Sequence, residues 1–158
     1  MLRLGKKYEV NHMVSGAVEI LENSFPTSLD EFASLGDQTH SIDYCSANLI
    51  DIANLALKAD LPSVLPCCYL LLSQKLDMLF TGASRKDESL ASIIAVSKDA
   101  IIRGRERILA VAPVKTLSWL TVTQHPLNAS CAARNMWNEL PAYFGLPPWE
   151  EIRQSTPL

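Results

Sequence analysis

Apolar positions recur at helical spacing along most of this chain, and nowhere do they alternate with a clean period of two. Met1, Leu4 and Tyr8 mark a first stripe, and after a break at Glu9 and Val10 a second one runs through Met13, Ala17, Ile20 and Leu21. Asn11 is the candidate cap of that second helix, which should stop before Pro26 because the residue ahead of a proline is pushed out of the α region. Ser28-Leu29-Asp30-Glu31 has the capping-box form, in which two side chains satisfy backbone donors at a helix start. A short helix from Leu29 to Leu35 is therefore predicted, closed by Gly36. Residues 37–45 are polar and aperiodic and read as a surface loop.

The segment SANLIDIANLALKAD places Leu49, Ile52, Ala53 and Ala56 on one stripe, with Asn48, Asp51, Asn54 and Lys58 largely off it. Asp60 then reads as the cap of a helix starting at Leu61 and Pro62, where the missing proline N–H costs little. Pro66 is expected to bend or tighten the start of that helix, whose broad apolar face is Val64, Leu65, Cys68, Leu71 and Leu72. The two form an αα-hairpin. Leu76, Leu79 and Phe80 follow, then Thr81-Gly82 and the charged loop ASRKDES. SLASIIAV fits strand, turn or buried helix, since so few residues carry no decisive period. Ser97 reads as the cap of a long helix through Ile101, Ile108, Leu109 and Ala112, interrupted by Pro113. Asn128 opens another, with Ala132, Met136 and Leu140 stacked, halted by Pro141, and Pro147-Pro148-Trp149 opens a last short turn. The predicted fold is all-α, built of antiparallel helix pairs with no substantial sheet and no internal repeat.

Length and composition add bounds to this picture. At 158 residues the chain fits one domain, 1–158, able to bury a sizeable core without staples. Hydrophobic residues at 48% and charged ones at 20% place it among ordinary globular proteins. A net charge of −3, with basic residues scattered except around Arg103, Arg105 and Arg107, makes nucleic acid an unexpected primary partner. The longest apolar run, LPSVLPCCYLLL, is about a dozen residues against the roughly 20 that a membrane span needs. The N-terminus MLRLGKKYEV does not read as a signal peptide, so an intracellular protein with reduced thiols at Cys45, Cys67, Cys68 and Cys131 is expected. Asn128-Ala129-Ser130 fits the glycosylation sequon but reads, in that setting, as a helix start.

Each residue with candidate chemistry also has a packing role open to it. Cys67 and Cys68, joined by Cys45, Cys131 or His125, could suggest a zinc site, but ligands on one ion are spaced by two to four residues and adjacent helical residues point about 100° apart. Buried cysteines serving as small hydrophobes are the favoured reading, and the apolar surroundings lack what a redox thiolate needs. His12, His40 and His125 sit in unrelated contexts, no nucleophile elbow or phosphate-binding glycine loop occurs, and neighbouring carboxylates such as Asp30 and Glu31 or Glu150 and Glu151 do not converge on one atom. No enzyme, metal or cofactor is therefore expected. The run Arg103-Gly104-Arg105-Glu106-Arg107 could dock an acidic peptide or a phosphate. It reads more readily as a solvated stripe, with Asp99 and Arg103 as i, i+4 partners and arginine stems covering Ile108. Trp119, Trp137, Tyr143, Phe144 and Trp149 cluster late in the chain, either pinning the C-terminal helices or forming a partner hot spot.

Three segments, LRLGKKYEVNHMVSGAVEILE, LIDIANLALKADLPSVLPCCYLLL and SKDAIIRGRERIL, resemble fungal BTB/POZ domain-containing proteins of the kind found in mushroom-forming fungi. The resemblance spans most of residues 2–137 and rests on core positions, not on a catalytic fingerprint. On it, residues 1–25 are similar to the closing helices of a BTB domain and residues 26–158 to the BACK-like helical extension that follows. The strands and helices of the BTB core, which precede this pattern and carry the dimer surface, are not among these residues. A fragment, a late-starting gene model or an extension standing alone are the three expectations. The resemblance implies a non-enzymatic protein-interaction scaffold associated with a BTB fold, with dimerisation and recruitment of a cullin-type ubiquitin ligase as properties of the class. A partner would meet an exposed groove or the C-terminal aromatics, with Arg103, Arg105, Arg107, Trp137 and Trp149 as candidate contacts. The alternatives are transcription-related binding through the arginine stripe, and a metal- or thiol-dependent enzyme using Cys67, Cys68 and Cys131.

Overall fold

A computed structural model describes residues 2–34, 43–117 and 129–155. Gly36, most of the predicted loop at 37–45, His40, Trp119, His125 and Asn128 lie outside the described residues, as do the side chains of Cys131 and Ala132. The protein is all-α: among the described residues it forms ten helices and one two-stranded hairpin.

The first pair is α1 (Leu2–Lys7) and α2 (Asn11–Ser24). The chain reverses at Glu9, whose φ of 54° is left-handed. The hairpin closes tightly because Gly5 faces α2, where an added Cβ would lie 2.8 Å from Val14 Cγ2. Asn11 is the first residue inside α2 and not its cap. The carbonyl of Val10 already accepts the N–H groups of Met13 and Val14 at 3.0 and 3.2 Å, so the helix begins one residue earlier than a cap at Asn11 requires. Its end at Ser24, just ahead of Phe25-Pro26, follows the proline rule. Phe25 is fully buried and meets Tyr44 edge to face. The helix α3 (Leu29–Ser34) opens as the capping box foresees, with the Glu31 N–H donating to Ser28 Oγ at 3.3 Å.

The central hairpin joins α4 (Ser46–Ala59) to α5 (Leu65–Ser73). On α4 the buried positions are Ala47, Leu49, Ile50, Ala53, Ala56 and Ala59. Ile50, not the half-buried Ile52, is the large residue of that face. Asp60 does not cap the next helix. It ends α4 in the left-handed region at φ 57°, while the Leu61 N–H reaches back to Ala56 O at 2.9 Å and the Asp60 N–H to Leu57 O at 3.5 Å. That is the Schellman arrangement, with an aspartate where glycine is more usual. Residues 62–64 form a turn, and α5 starts at Leu65, four residues after Leu61. Pro66 therefore bends nothing: it stands in the first turn of α5, where its missing donor has no partner to lose.

The helix α5 is buried over most of its surface: Leu65, Pro66, Cys67, Cys68, Tyr69, Leu72 and Ser73 are shielded, and Leu70 and Leu71 are half-buried. A helix enclosed this way needs apolar residues all round, which explains why LPCCYLLL shows a broad face and no polar stripe. Next come α6 (Leu76–Thr81), closed by Gly82 at φ 80°, and the hairpin of β1 (Ala83–Ser84) with β2 (Leu90–Ala91), paired Ala83 to Ala91. The ambiguous SLASIIAV is thus a short strand followed by a helix start. Asn54 of α4 holds that junction, its Nδ2 donating to Ser92 O at 2.8 Å and its Oδ1 accepting the Ile94 N–H at 3.1 Å.

The longest helix is α7 (Ala95–Leu117). Ser97 lies within it and is fully buried, and Ile94 instead offers the carbonyl that accepts the Lys98 N–H. Pro113 does not interrupt it: a proline removes one i→i−4 bond, and the bonds on either side carry the helix to Leu117. After α8 (Ala129–Asn138) come α9 (Leu140–Tyr143) and α10 (Trp149–Ser155). Pro141 opens α9 instead of halting α8, again taking a first-turn position. Pro147-Pro148-Trp149 opens α10 as expected, the Pro148 carbonyl accepting the Ile152 N–H at 3.0 Å. One hydrophobic cluster runs from Leu21 and Phe25 through α4, α5 and α7 to Trp149 and Ile152.

Candidate functional site

An apolar groove of about 230 Å³ opens where the third helix, the buried fifth helix, the long seventh helix and the C-terminal helices meet. The third contributes Leu29 and Phe32, the fifth Leu70 and the seventh Ile108. From the C-terminal side come Met136 and Trp137 of α8 and Leu140 and Tyr143 of α9. Its two aromatic polar tips are turned to protein partners. Trp137 Nε1 donates to Thr27 O at 3.0 Å, and the Tyr143 hydroxyl donates to Glu139 Oε2 at 2.6 Å. What faces the groove is therefore hydrocarbon and ring surface, suited to another apolar group.

The C-terminal aromatics set this geometry. Trp137 is 6% exposed and Trp149 4% exposed, with rings stacked at 6.2 Å and 15° between planes. The Trp149 Nε1–H donates to Trp137 O at 3.0 Å, tying α10 to the end of α8. Phe32 packs on Trp137 at 4.8 Å and brings α3 to the same place. Of the two roles open to this cluster, pinning the C-terminal helices describes Trp149 fully, while Trp137 pins and also lines the groove.

The arginine run is split by the helix it lies on, since alternate residues of a helix point about 200° apart. Arg103 pairs with Asp99 at 3.0 Å, as the i, i+4 spacing foresees. Arg105 reaches Glu106 at 3.4 Å. Arg107 does more than cover apolar surface: its Nη1 donates to Ala142 O and Tyr143 O at 3.2 Å each, holding the carbonyl end of α9. Gly104 lies against the Phe144 ring, leaving no room for a Cβ.

Cys67 and Cys68 are fully shielded. Burial pushes the Cys67 thiol up to about 12. Burial, and after it the proximity of Cys67, pushes Cys68 well above the usual range, while its Sγ–H donates to Leu49 O at 3.3 Å. Cys45 is exposed at the entry to α4, and His12 is exposed on α2. Among the described residues no group of three or more His, Cys, Asp and Glu side chains is placed to hold a metal ion. None of the described helices is long and apolar enough to cross a membrane.

Two polar devices went unread in the sequence. Arg85 forms a fork on Asp51, Nε to Oδ2 at 2.7 Å and Nη2 to Oδ1 at 2.8 Å, and also donates to Ser89 Oγ and Leu90 O. Inside the core the Tyr69 hydroxyl donates to Ser97 Oγ at 2.9 Å. The i, i+4 rule finds pairs such as Asp99 and Arg103, but no local rule connects residues 28 or 34 apart. A scan against protein-family models and comparisons with curated proteins and with solved structures found no match to this chain.

Proposed function

We propose that this protein is a non-enzymatic interaction module, a helical scaffold of BTB-associated type whose partner-binding surface is the apolar groove beside Trp137. The observation that carries the reading is the groove itself: five helices converge there, yet its lining offers rings and aliphatic carbon to whatever enters. A concave apolar surface of this size suits the anchoring side chain of a protein partner. The depth and raised pKa of Cys67 and Cys68 support the non-catalytic side of the proposal, because a nucleophilic thiol must be both accessible and ionised.

The BTB-associated part rests on the resemblance of three sequence segments, and it assigns residues 1–25 to packing under a BTB core. Leu4 on α1 and Tyr8 just past its end, 55% and 64% exposed, are consistent with a face meant to be covered. Purified chain measured by light scattering and then by calorimetry against a BTB-fold core and a fungal cullin scaffold tests this reading. Binding to either partner, weakened at the groove by Met136→Trp or at the N-terminal pair by Tyr8→Asp, is the expected result. A monomer that binds neither would overturn it.

A further inference from the structure

We infer that Ser89 is a site of covalent control: a phosphoryl group on its hydroxyl takes Arg85 from Asp51 and frees the β-hairpin from α4. The hydroxyl is presented to solvent, because residues 86–90 are all exposed and their turn is closed by the Arg85 N–H donating to Ser89 O at 2.8 Å. Its oxygen already accepts from Arg85 Nη1 at 2.9 Å, so a phosphate built there meets a guanidinium at once. The same guanidinium forks onto Asp51 at 2.7 and 2.8 Å, which fastens the hairpin to the central helix. With 34% of the Arg85 side chain and 38% of the Asp51 side chain exposed, a competing anion can reach the pair.

Charge decides the direction of the effect. Asp87 Oδ1 accepts the Ser89 hydroxyl at 2.6 Å, and Glu88 stands between them in the turn at a left-handed φ of 65°. A phosphate adds about two negative charges beside these carboxylates. One guanidinium cannot fork onto both Asp51 and a dianion, and the dianion is the stronger acceptor. The hydrogen bond from Ser89 to Asp87 is lost with the hydroxyl proton. Ala83 and Ala91, 5% and 0% exposed where the hairpin covers α4, are uncovered when the hairpin lifts. The transfer is that of a protein kinase. Oγ bonds to the γ-phosphorus of a nucleoside triphosphate, the bond from that phosphorus to the β-phosphate oxygen breaks, and the hydroxyl proton passes to the kinase's catalytic carboxylate. Arg85 and Lys86, four and three residues ahead of Ser89, supply the cations that a kinase with an acidic substrate groove selects.

The folded chain, given magnesium-ATP and a serine kinase that selects basic residues ahead of its target, should take one phosphoryl group, located at Ser89 by peptide mass spectrometry. No incorporation, or incorporation at Ser84 instead, would overturn the assignment. The consequence is read separately, in protein with phosphoserine encoded at residue 89. Hydrogen exchange at residues 85–92 should be several-fold faster than in the unmodified chain. Ser89→Ala, which loses the hydroxyl but adds no charge, should change it far less. In an Asp51→Asn background the phosphate should add little, because the contact it competes for is already weakened. Unchanged or slower exchange in the phosphorylated chain, or an equal increase with Asp51→Asn, would overturn the competition for Arg85.

Discussion

Gly104 of the long helix lies against the ring of Phe144, so closely that a single methyl group at residue 104 would overlap the ring. Phe144 cannot easily retreat, because it is 4% exposed and meets Tyr69 edge to face at 5.7 Å. Two effects oppose each other in Gly104→Ala. Alanine favours a helix interior by about 1 kcal/mol. Forcing carbon into a packed contact costs about 1–3 kcal/mol. With overlap this direct, the variant should be less stable by urea denaturation despite its better helix propensity. Adding Phe144→Leu, which opens space over residue 104, should recover part of the loss. A Gly104→Ala protein more stable than the natural one would show that the two helices are not in this contact.

The buried thiols predict an alkaline limit to stability. Unfolded, Cys67 ionises near 9; folded, it is held to about 12. Between those values the unfolded chain has lost a proton that the folded one keeps, so stability must fall as pH rises. Below about 9 the contribution is fully present, and above it each pH unit removes about 1.4 kcal/mol for this thiol. Cys68 acts in the same direction. Urea midpoints at pH 8, 9.5 and 10.5 should drop progressively, and Cys67→Ala should flatten the slope even where it lowers stability at pH 8. In a Cys131→Ser background, iodoacetamide at pH 8 should modify Cys45 promptly and leave Cys67 and Cys68 until the protein unfolds.

The sequence discloses helices far better than it discloses their ends. On α4 the spacing finds Leu49, Ala53 and Ala56 but takes Ile52 for Ile50. On α5 it finds Leu65, Cys68 and Leu72 but not Pro66, Cys67 and Tyr69, which are also buried, because a helix with few polar residues leaves the direction of burial open. Asp60, Pro66, Pro113 and Pro141 each take a role other than the one the local sequence suggests, and for one reason. An aspartate serves a helix start or a left-handed helix end, and a proline stops one helix or opens the next. Which role applies depends on contacts made elsewhere in the chain. Ser97, a good cap by composition, is instead drawn into the core by Tyr69. The groove was less legible still. The aromatic cluster pointed to Trp137, but Leu29, Leu70 and Ile108 come from three separate helices and announce nothing in common.

The fork between Arg85 and Asp51 predicts a specific failure on conservative replacement. Arg85 spends its donors on two carboxylate oxygens, Ser89 Oγ and Leu90 O, fastening the β-hairpin to α4. A lysine keeps the charge but is a single point with no planar fork. In hydrogen exchange, amides of the hairpin and of residues 85–92 should open several-fold faster in Arg85→Lys, nearly as much as in Arg85→Ala. Protection equal to that of the natural protein in Arg85→Lys would mean that charge alone holds the loop.

The hydroxyl pair of Tyr69 and Ser97 offers the sharpest test of the core. Both residues are shielded, at 2% and 0% exposure, and the hydroxyl of one donates to the other at 2.9 Å. Burial raises the Tyr69 phenol and the Ser97 bond lowers it, so the ring meets an apolar setting relieved by one polar contact. Tyr69→Phe leaves the serine without that donor, and Ser97→Ala leaves the phenol without its acceptor. Each single variant should lose about 1–3 kcal/mol, the cost of stranding a buried polar group. Tyr69→Phe with Ser97→Ala removes both partners at once and should cost less than the sum of the two. A double-mutant cycle by urea denaturation measures the difference directly. Strict additivity would place the two hydroxyls apart, and with them the faces of α5 and α7 that they join.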